Sequence, residues 1–324
     1  MAYSAKVIAL ARERLEQENA DKKQLYNTRR EQVYAALPEV RQLDQQMHLN
    51  MTQAAQAVLG KDADVVGVIS AARQQNTCLQ QKRDGLVAEA FGENYLQEPL
   101  CPHCGGVGYV GTAMCQCLQE LCRLEQMEQI SSLGCGSGNF SDFRLDYYSE
   151  RIDPKLGISP REVMEQNVKL CRKFAKPFAG GNMLFVGGTG LGKTFLSACV
   201  ATQVALQGYS VAYESAGHLF YKLERERFSP DEEILQQVKT LRECDLLIVD
   251  DLGTEMPGNF VTAALYTLVN DRLLSGKSTV ISTNLTVDEI AQRYNPQIAS
   301  RLQGNYRLLP FIGDDIRILK NRRK

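Results

Sequence analysis

Gly187-Gly188-Thr189-Gly190-Leu191-Gly192-Lys193-Thr194 fills every fixed position of the pattern G-x-x-x-x-G-K-[ST]. A short apolar run, Met183-Leu184-Phe185-Val186, precedes it, and a helix-compatible stretch, Phe195 to Gln207, follows. Strand, glycine loop and helix in that order are the context a phosphate-binding loop requires. The glycines let the backbone curl so that successive N–H groups point at phosphate oxygens, and the helix start near Lys193 adds a positive dipole end. Lys193 is expected to reach the β and γ phosphates and Thr194 to ligate Mg²⁺. The alternative is a plain glycine turn, which the fully occupied pattern argues against. The sequence therefore predicts a nucleoside triphosphate site.

Its second half lies further along the chain. Leu246-Leu247-Ile248-Val249-Asp250-Asp251 is an apolar strand ending in two carboxylates. An unbroken apolar run suits a strand buried on both faces of a parallel sheet, and ligands bind at the carboxyl ends of such strands. Asp250 is expected to hold Mg²⁺, directly or through water, and Asp251 to act as general base on the attacking water. A third strand, Ser278 to Asn284, ends in a polar trio. Asn284 can bond the γ-phosphate or the lytic water, or simply sit in the turn before a helix at Val287. Arg301, in Ile298-Ala299-Ser300-Arg301-Leu302, and Arg317, in Gly313-Asp314-Asp315-Ile316-Arg317, offer cations to a γ-phosphate. The Asn-Lys-x-Asp signature of guanine readers is absent, so adenine is the expected base.

Bulk composition constrains the rest. The chain has 324 residues, is 44% hydrophobic and 23% charged, and carries a net charge of −1. That is room for two or three domains and an ordinary core, without a global basic field for nucleic acid. A basic cluster of Lys320, Arg322, Arg323 and Lys324 reads as a solvated tail or a local phosphate contact. Val7 to Ala11 is too short for a secretory signal, and no run approaches the about 18 apolar residues of a membrane span. A cytoplasmic chain with reduced cysteines is expected.

Four segments emerge. Residues 1–97, rich in Ala, Gln, Glu, Arg and Leu, predict a helical bundle or long antiparallel hairpin with helices to about Leu37, from Pro38 to Gly60, and from about Asp64 to Phe91. It reads equally as a partner-binding or a structural module. Residues 98–135 hold glycines and clustered cysteines, residues 136–158 form a linker, and an α/β pattern fills 159–324.

Cys101-Pro102-His103-Cys104, ten residues, then Cys115-Gln116-Cys117 gives two close pairs across a glycine-rich connector. Such pairs can converge as a tetrahedral zinc site that supplies folding energy to a segment without its own core. Cys122 and His103 are possible substitute ligands. A thiol-redox motif is the rival reading of Cys-Pro-His-Cys, but it needs a thioredoxin-like strand and helix around it, and here Gly105-Gly106 follows.

Taken in order, these parts resemble an AAA+ ATPase of the DnaC/DnaI/IstB branch, the replicative-helicase loaders and their relatives. Gly187–Thr194 looks like a Walker A loop, Leu246–Asp251 a Walker B strand, Ser282-Thr283-Asn284 a sensor I, Ile298–Leu302 the box carrying an arginine finger, and Gly313–Arg317 a sensor II. Asp250-Asp251-Leu252-Gly253-Thr254-Glu255, Ile281–Leu285 and the lead-in Phe140–Tyr148 are close to that branch, where the lead-in lies beside the adenine. The four-cysteine element ahead of the ATPase is similar to Gram-positive helicase loaders. Asp251 replaces the wider family's Glu, and little chain follows Arg317 for a full helical lid. The resemblance implies ATP bound between neighbouring subunits, Arg301 of one reaching the phosphate of the next, and self-association through the ATPase domain. It further implies a helical and zinc region gripping the hexameric replicative helicase, with single-stranded DNA as the other partner. A transposition helper on duplex DNA, a slow ATP-binding switch and a small-molecule P-loop kinase are the competing readings.

Overall fold

The computed structural model describes residues 3–59, 65–132, 138–154 and 157–322. Its contacts divide the chain into two compact units, residues 13–117 and residues 1–12 with 118–324. This differs from the four segments expected from sequence. The cysteine element falls in the same unit as the helices before it. The first turns of the chain belong with residues 118–324, because Val7 and Ala11 are buried there and the Tyr3 hydroxyl donates to the Gly208 carbonyl at 3.3 Å. The expected boundary at 135/136, the helix end at Gly60, the helix start at Asp64, and Arg323 and Lys324 lie outside the described residues.

Residues 13–117 hold most of α1 (Ala5–Ala36), then α2 (Pro38–Leu59), α3 (Val65–Phe91) and a small hairpin of β1 (Tyr109–Val110) and β2 (Ala113–Met114). Pro38 opens α2, where its missing N–H costs nothing. α2 and α3 run antiparallel: Lys82 pairs with Glu39 at 2.6 Å, and Asn76 bonds both Asn50 (2.8 Å) and the Met47 carbonyl (3.0 Å). The apolar core is small, Val33, Val40 and Val87 ringed by Tyr34, Leu37 and Phe91 among others.

The second unit is a five-stranded parallel sheet between helical layers. After α4 (Gln116–Ser132) and α5 (Pro160–Ala175) come β3 (Asn182–Val186), α6 (Lys193–Ala205), β4 (Val211–Ser215), α7 (Ala216–Phe228) and α8 (Glu232–Glu243). Then follow β5 (Leu246–Leu252), α9 (Asn259–Leu274), β6 (Ser278–Thr283), α10 (Val287–Arg293), α11 (Pro296–Asn305), β7 (Arg307–Pro310) and α12 (Ile316–Arg322). The strand order is β4-β5-β6-β3-β7, all parallel. Parallel pairing sends every strand's carboxyl end to one edge, where the loop after β3, the acids of β5 and the trio of β6 meet.

Side-chain alternation explains the layers. Leu246, Ile248, Phe185 and Val280 point to one face and pack under α5 and α6; Leu247, Val249, Leu184 and Ile281 point to the other, under α7 to α11. Helix starts are capped as the sequence dictates. Ser159 and Glu162 form a capping box on α5, with Pro160 as its first residue, and Thr286 and Glu289 form another on α10. The edge strand β4 is covered by Gln126 of α4, whose amide accepts from the Val211 N–H (3.0 Å) and donates to the Tyr209 carbonyl (3.1 Å), satisfying backbone groups an open edge would expose. Residues 138–148 are more than a linker: they form two short 3-10 turns, Phe140–Asp142 and Leu145–Tyr147, and bury Phe140 and Tyr148 against the core. Among the described residues, no helix is long and apolar enough to cross a membrane.

Candidate functional site

The phosphate loop is walled in from two directions. The Tyr148 hydroxyl donates to the Leu191 carbonyl at 2.8 Å, with the Phe143 ring stacked on Tyr148. From the other side, residues 311–316 lie directly on the loop. The Phe311 N–H donates to Val186 and the Ile316 N–H to Gly190. A Cβ at Gly187 would stand 2.2 Å from the Phe311 carbonyl oxygen, and one at Gly190 2.1 Å from an Asp315 carboxylate oxygen. Gly190 also sits at φ 72°, a backbone region that L side chains avoid. Two of the motif's glycines are thus required by the segment packed over them, as well as by phosphate.

Lys193, the first residue of α6, is 4% exposed. Its ammonium donates to the carbonyls of Gly187 (2.7 Å) and Gly188 (2.6 Å) and to Asn284 Oδ1 (2.6 Å). Burial lowers its pKa, partly offset by Asp251 and Asp250, and the charge of Arg317 lowers it further. Asn284 therefore faces the loop. Asn284 sits in the bend between β6 and α10, where Thr286 rather than Asn284 caps the helix.

The two acids of β5 differ sharply. Asp250 is buried (6% exposed); its Oδ1 accepts from the Ser282 hydroxyl and its Oδ2 from the Tyr213 hydroxyl at 3.1 Å. Asp251 follows at φ 56°, where the pairing of β5 with β6 slips between Val249 and Leu252. A non-glycine residue held in the left-handed region is a strained position of the kind that clusters at working sites. The Asp251 N–H is fixed by the Ser282 hydroxyl oxygen at 2.9 Å. Burial first, then the neighbouring Asp250 charge, raise the Asp251 carboxyl above its ordinary pKa, against the pull of Lys193 and Arg317. Asp250, buried and bonded by two hydroxyls, and Asp251, with its raised pKa, suit a divided role, one for metal and one for proton transfer.

Lys193 and Asn284 are thus brought together beside Asp250 and Asp251, with the charge of Arg317 acting on Lys193 and Asp251 from an exposed position. Arg301 does not join them. It lies on α11, its guanidinium 4.4 Å from the centre of the Tyr266 ring and its Nε donating to Asn270 Oδ1 at 3.3 Å, both on α9. Sequence reasoning missed Tyr213, Ser282 as a brace, Ser197 and Asp315. None belongs to a fixed motif position, and only three-dimensional proximity identifies them.

The oxygen donors at the loop, the Thr194 hydroxyl and the Asp250 carboxylate, suit Mg²⁺, a hard cation that prefers one or two carboxylates with phosphate and water.

Residues 13–117 carry a separate cluster. The thiols of Cys101, Cys104, Cys115 and Cys117 all lie within 4.8 Å of one another. Cys101 and Cys115 sulfurs are 3.8 Å apart and those of Cys104 and Cys117 3.4 Å. A tetrahedral site with Zn–S bonds of about 2.3 Å needs sulfurs about 3.8 Å apart, so the set fits zinc. Burial disfavours the Cys104 thiolate, yet the Gly108 N–H at 3.3 Å and the contact with Cys117 bring its pKa to about 6. Backbone N–H groups of Cys104 and His103 lower Cys101, while burial and Cys104 raise Cys117. His103 is exposed and Cys122 is fully buried on α4; neither joins the group of four.

The family model described as IstB-like ATP binding protein matches residues 170–304, the stretch that holds the loop, both acids, Asn284 and Arg301. Residues 170–304 are thus similar to the IstB-like ATP-binding proteins. The replicative helicase loader DnaC of Escherichia coli (strain K12) is 24% identical to the chain over 152 residues, 45% of this chain and 61% of that relative. The chain therefore spans less than two thirds of the curated relatives it matches. Among solved structures, the DnaC helicase loader is 20% identical with a TM-score of 0.45, covering 53% of this chain and 98% of that one. A structure of DnaI is 16% identical with a TM-score of 0.43, covering 47% and 86%.

Proposed function

We propose that the chain is an ATP-hydrolysing loader that places a hexameric replicative helicase on single-stranded DNA. The observation that favours this over other uses of the same ATPase domain is the company it keeps: an IstB-like domain joined to a helical unit with a four-thiol element. A bare ATPase core serves many ends, whereas a separately folded unit that fits a structural metal supplies a dedicated partner surface.

The chemistry follows from the site. Lys193, held by its own loop carbonyls and Asn284, exchanges those neutral partners for phosphate oxygens. Mg²⁺, when held by Thr194 and Asp250, neutralises phosphate charge. Asp251 takes the proton of the attacking water, and Asn284 orients that water or the γ-phosphate. Arg301, turned away from its own loop by Tyr266 and Asn270, serves the site of a neighbouring copy. Hydrolysis then depends on assembly. Cys101, Cys104, Cys115 and Cys117 would hold zinc, which would supply folding energy to the element that grips the helicase.

The test is to mix the protein with the host replicative helicase in ATP and in ADP and weigh any complex by light scattering. A defined complex, lost in Cys101→Ser/Cys104→Ser protein, supports the loader. Absence of a complex, with ATP-dependent filaments on duplex DNA, moves the assignment to the transposition helper, which the IstB-like match also favours.

A further inference from the structure

We propose that Tyr213 is a positioning residue for the magnesium of the ATP site, setting the spacing between Thr194 and Asp250; this rests on the ATP-binding reading above. Tyr213 lies on β4, a strand with no phosphate motif, paired through Ile248 to β5. Its hydroxyl reaches both elements that carry the metal's expected ligands. It is 3.1 Å from Asp250 Oδ2, 2.9 Å from Ser197 Oγ and 3.4 Å from the Thr194 carbonyl oxygen.

The hydrogen bonds can be assigned by counting protons. Tyr213 has one hydroxyl proton and a carboxylate oxygen accepts, so that proton goes to Asp250 Oδ2. The phenolic oxygen is then left to accept from Ser197, whose single proton is shared between it and the Thr194 carbonyl, each 2.9 Å from Oγ. Tyr213 thereby ties the first turn of α6 to the end of β5. On the far side of the carboxylate, the Ser282 hydroxyl holds Oδ1. Each oxygen of Asp250 has one protein donor and keeps a lone pair, so the carboxylate plane is fixed before metal arrives. Partners that orient a metal ligand in this way ordinarily contribute about ten- to a hundredfold in metal affinity. The ring packs at the margin of the α5/α6 core, so removal of the hydroxyl alone leaves that packing in place.

The experiment uses the full chain and a fluorescent N-methylanthraniloyl-ATP, titrated in EDTA and at graded Mg²⁺, with Mn²⁺ binding followed by electron paramagnetic resonance. Tyr213→Phe should leave affinity in EDTA unchanged within about twofold, and shift the Mg²⁺ midpoint and the Mn²⁺ affinity by about tenfold. Ser197→Ala, which cuts only the α6 leg, should shift both in the same direction by less. An unmoved Mg²⁺ midpoint in Tyr213→Phe overturns the proposal. So does an equal loss in EDTA, which would assign the tyrosine to packing. Wild-type protein that binds no nucleotide in either condition would instead remove the ATP reading on which this stands.

Discussion

Lys193 and Asn284 meet at 2.6 Å, ammonium to amide oxygen, across the junction of two neighbouring parallel strands. The contact puts Asn284, expected from sequence to bond the γ-phosphate or the lytic water or else to sit in a turn, beside the phosphate loop. Lys193→Ala is expected to abolish measurable ATP binding. Asn284→Ala should bind ATP within a few-fold of wild type and lose about a hundredfold in turnover, as removal of one aimed polar group does at other sites. Nucleotide titration and phosphate release, measured side by side, check both; equal loss of binding in the two variants would refute the division of labour.

The raised pKa of Asp251 carries a signed prediction. A carboxyl whose folded pKa lies above its unfolded value of about 3.9 holds more protons when folded. Its contribution to stability therefore falls as pH rises through that window and stays unfavourable above it. Asp251→Asn should melt higher than wild type at pH 7, and the gain should shrink as pH falls into the acid range. The same variant should lose hydrolysis, because an amide cannot accept the water's proton. Thermal melts from pH 4 to pH 8 give the sign directly.

Arg301 stacks on Tyr266 and touches no group of its own phosphate loop among the contacts described. Arg301→Ala should keep ATP affinity and lose the hydrolysis that rises with protein concentration. Mixing Arg301→Ala with Asp251→Asn chains should restore part of that activity, since one interface of the mixture then has an intact arginine opposite an intact acid. Flat activity across all mixing ratios would exclude the arrangement.

The four thiols predict one tightly held zinc per chain. Cys101→Ser should release it, seen by elemental analysis, and loosen residues near the β1–β2 hairpin, seen by hydrogen exchange. ATP binding should persist, because the phosphate loop belongs to the other unit.

Arg272 is 1% exposed, and its guanidinium donates to the carbonyls of Leu241, Arg242, Cys244 and Ser278 and to the Thr279 hydroxyl. It gathers the end of α8 and the entries to β5 and β6. Arg272→Met should destabilise the domain by about 3 kcal/mol, since several buried carbonyls lose their donor together. Denaturant unfolding with an unchanged slope would give the figure.

What the sequence disclosed follows from where the information is local. The phosphate loop, the acid pair and the cysteine pairs are each contiguous, so spacing alone exposes them. β5 was legible because Leu246 to Val249 is an unbroken apolar run, and β6 because Thr279, Val280 and Ile281 are successive β-branched residues. β4 and β7 were not read individually: each is short and partly exposed, and β4 mixes Tyr213 and Glu214 into its run. The first dozen residues gave no sign that they pack with residues 118–324, because one helix, α1, runs through the boundary without a break in pattern. Tyr213 and Ser282 stayed hidden for a different reason. Their importance lies in what they touch, and a hydroxyl bracing a carboxylate from another strand leaves no trace in spacing.

The packing of residues 311–316 over Gly187 and Gly190 bears on how the domain comes together. The eight-residue loop is the most local feature of the chain to read, yet its walls arrive from the opposite end of the domain, carried by β7 into the place beside β3. Closing so wide a circuit is slow relative to forming the strand and helix that flank the loop. A folding intermediate with β3 to β6 assembled would display the full motif and still have an unshaped nucleotide pocket, so ATP can reward only the finished fold.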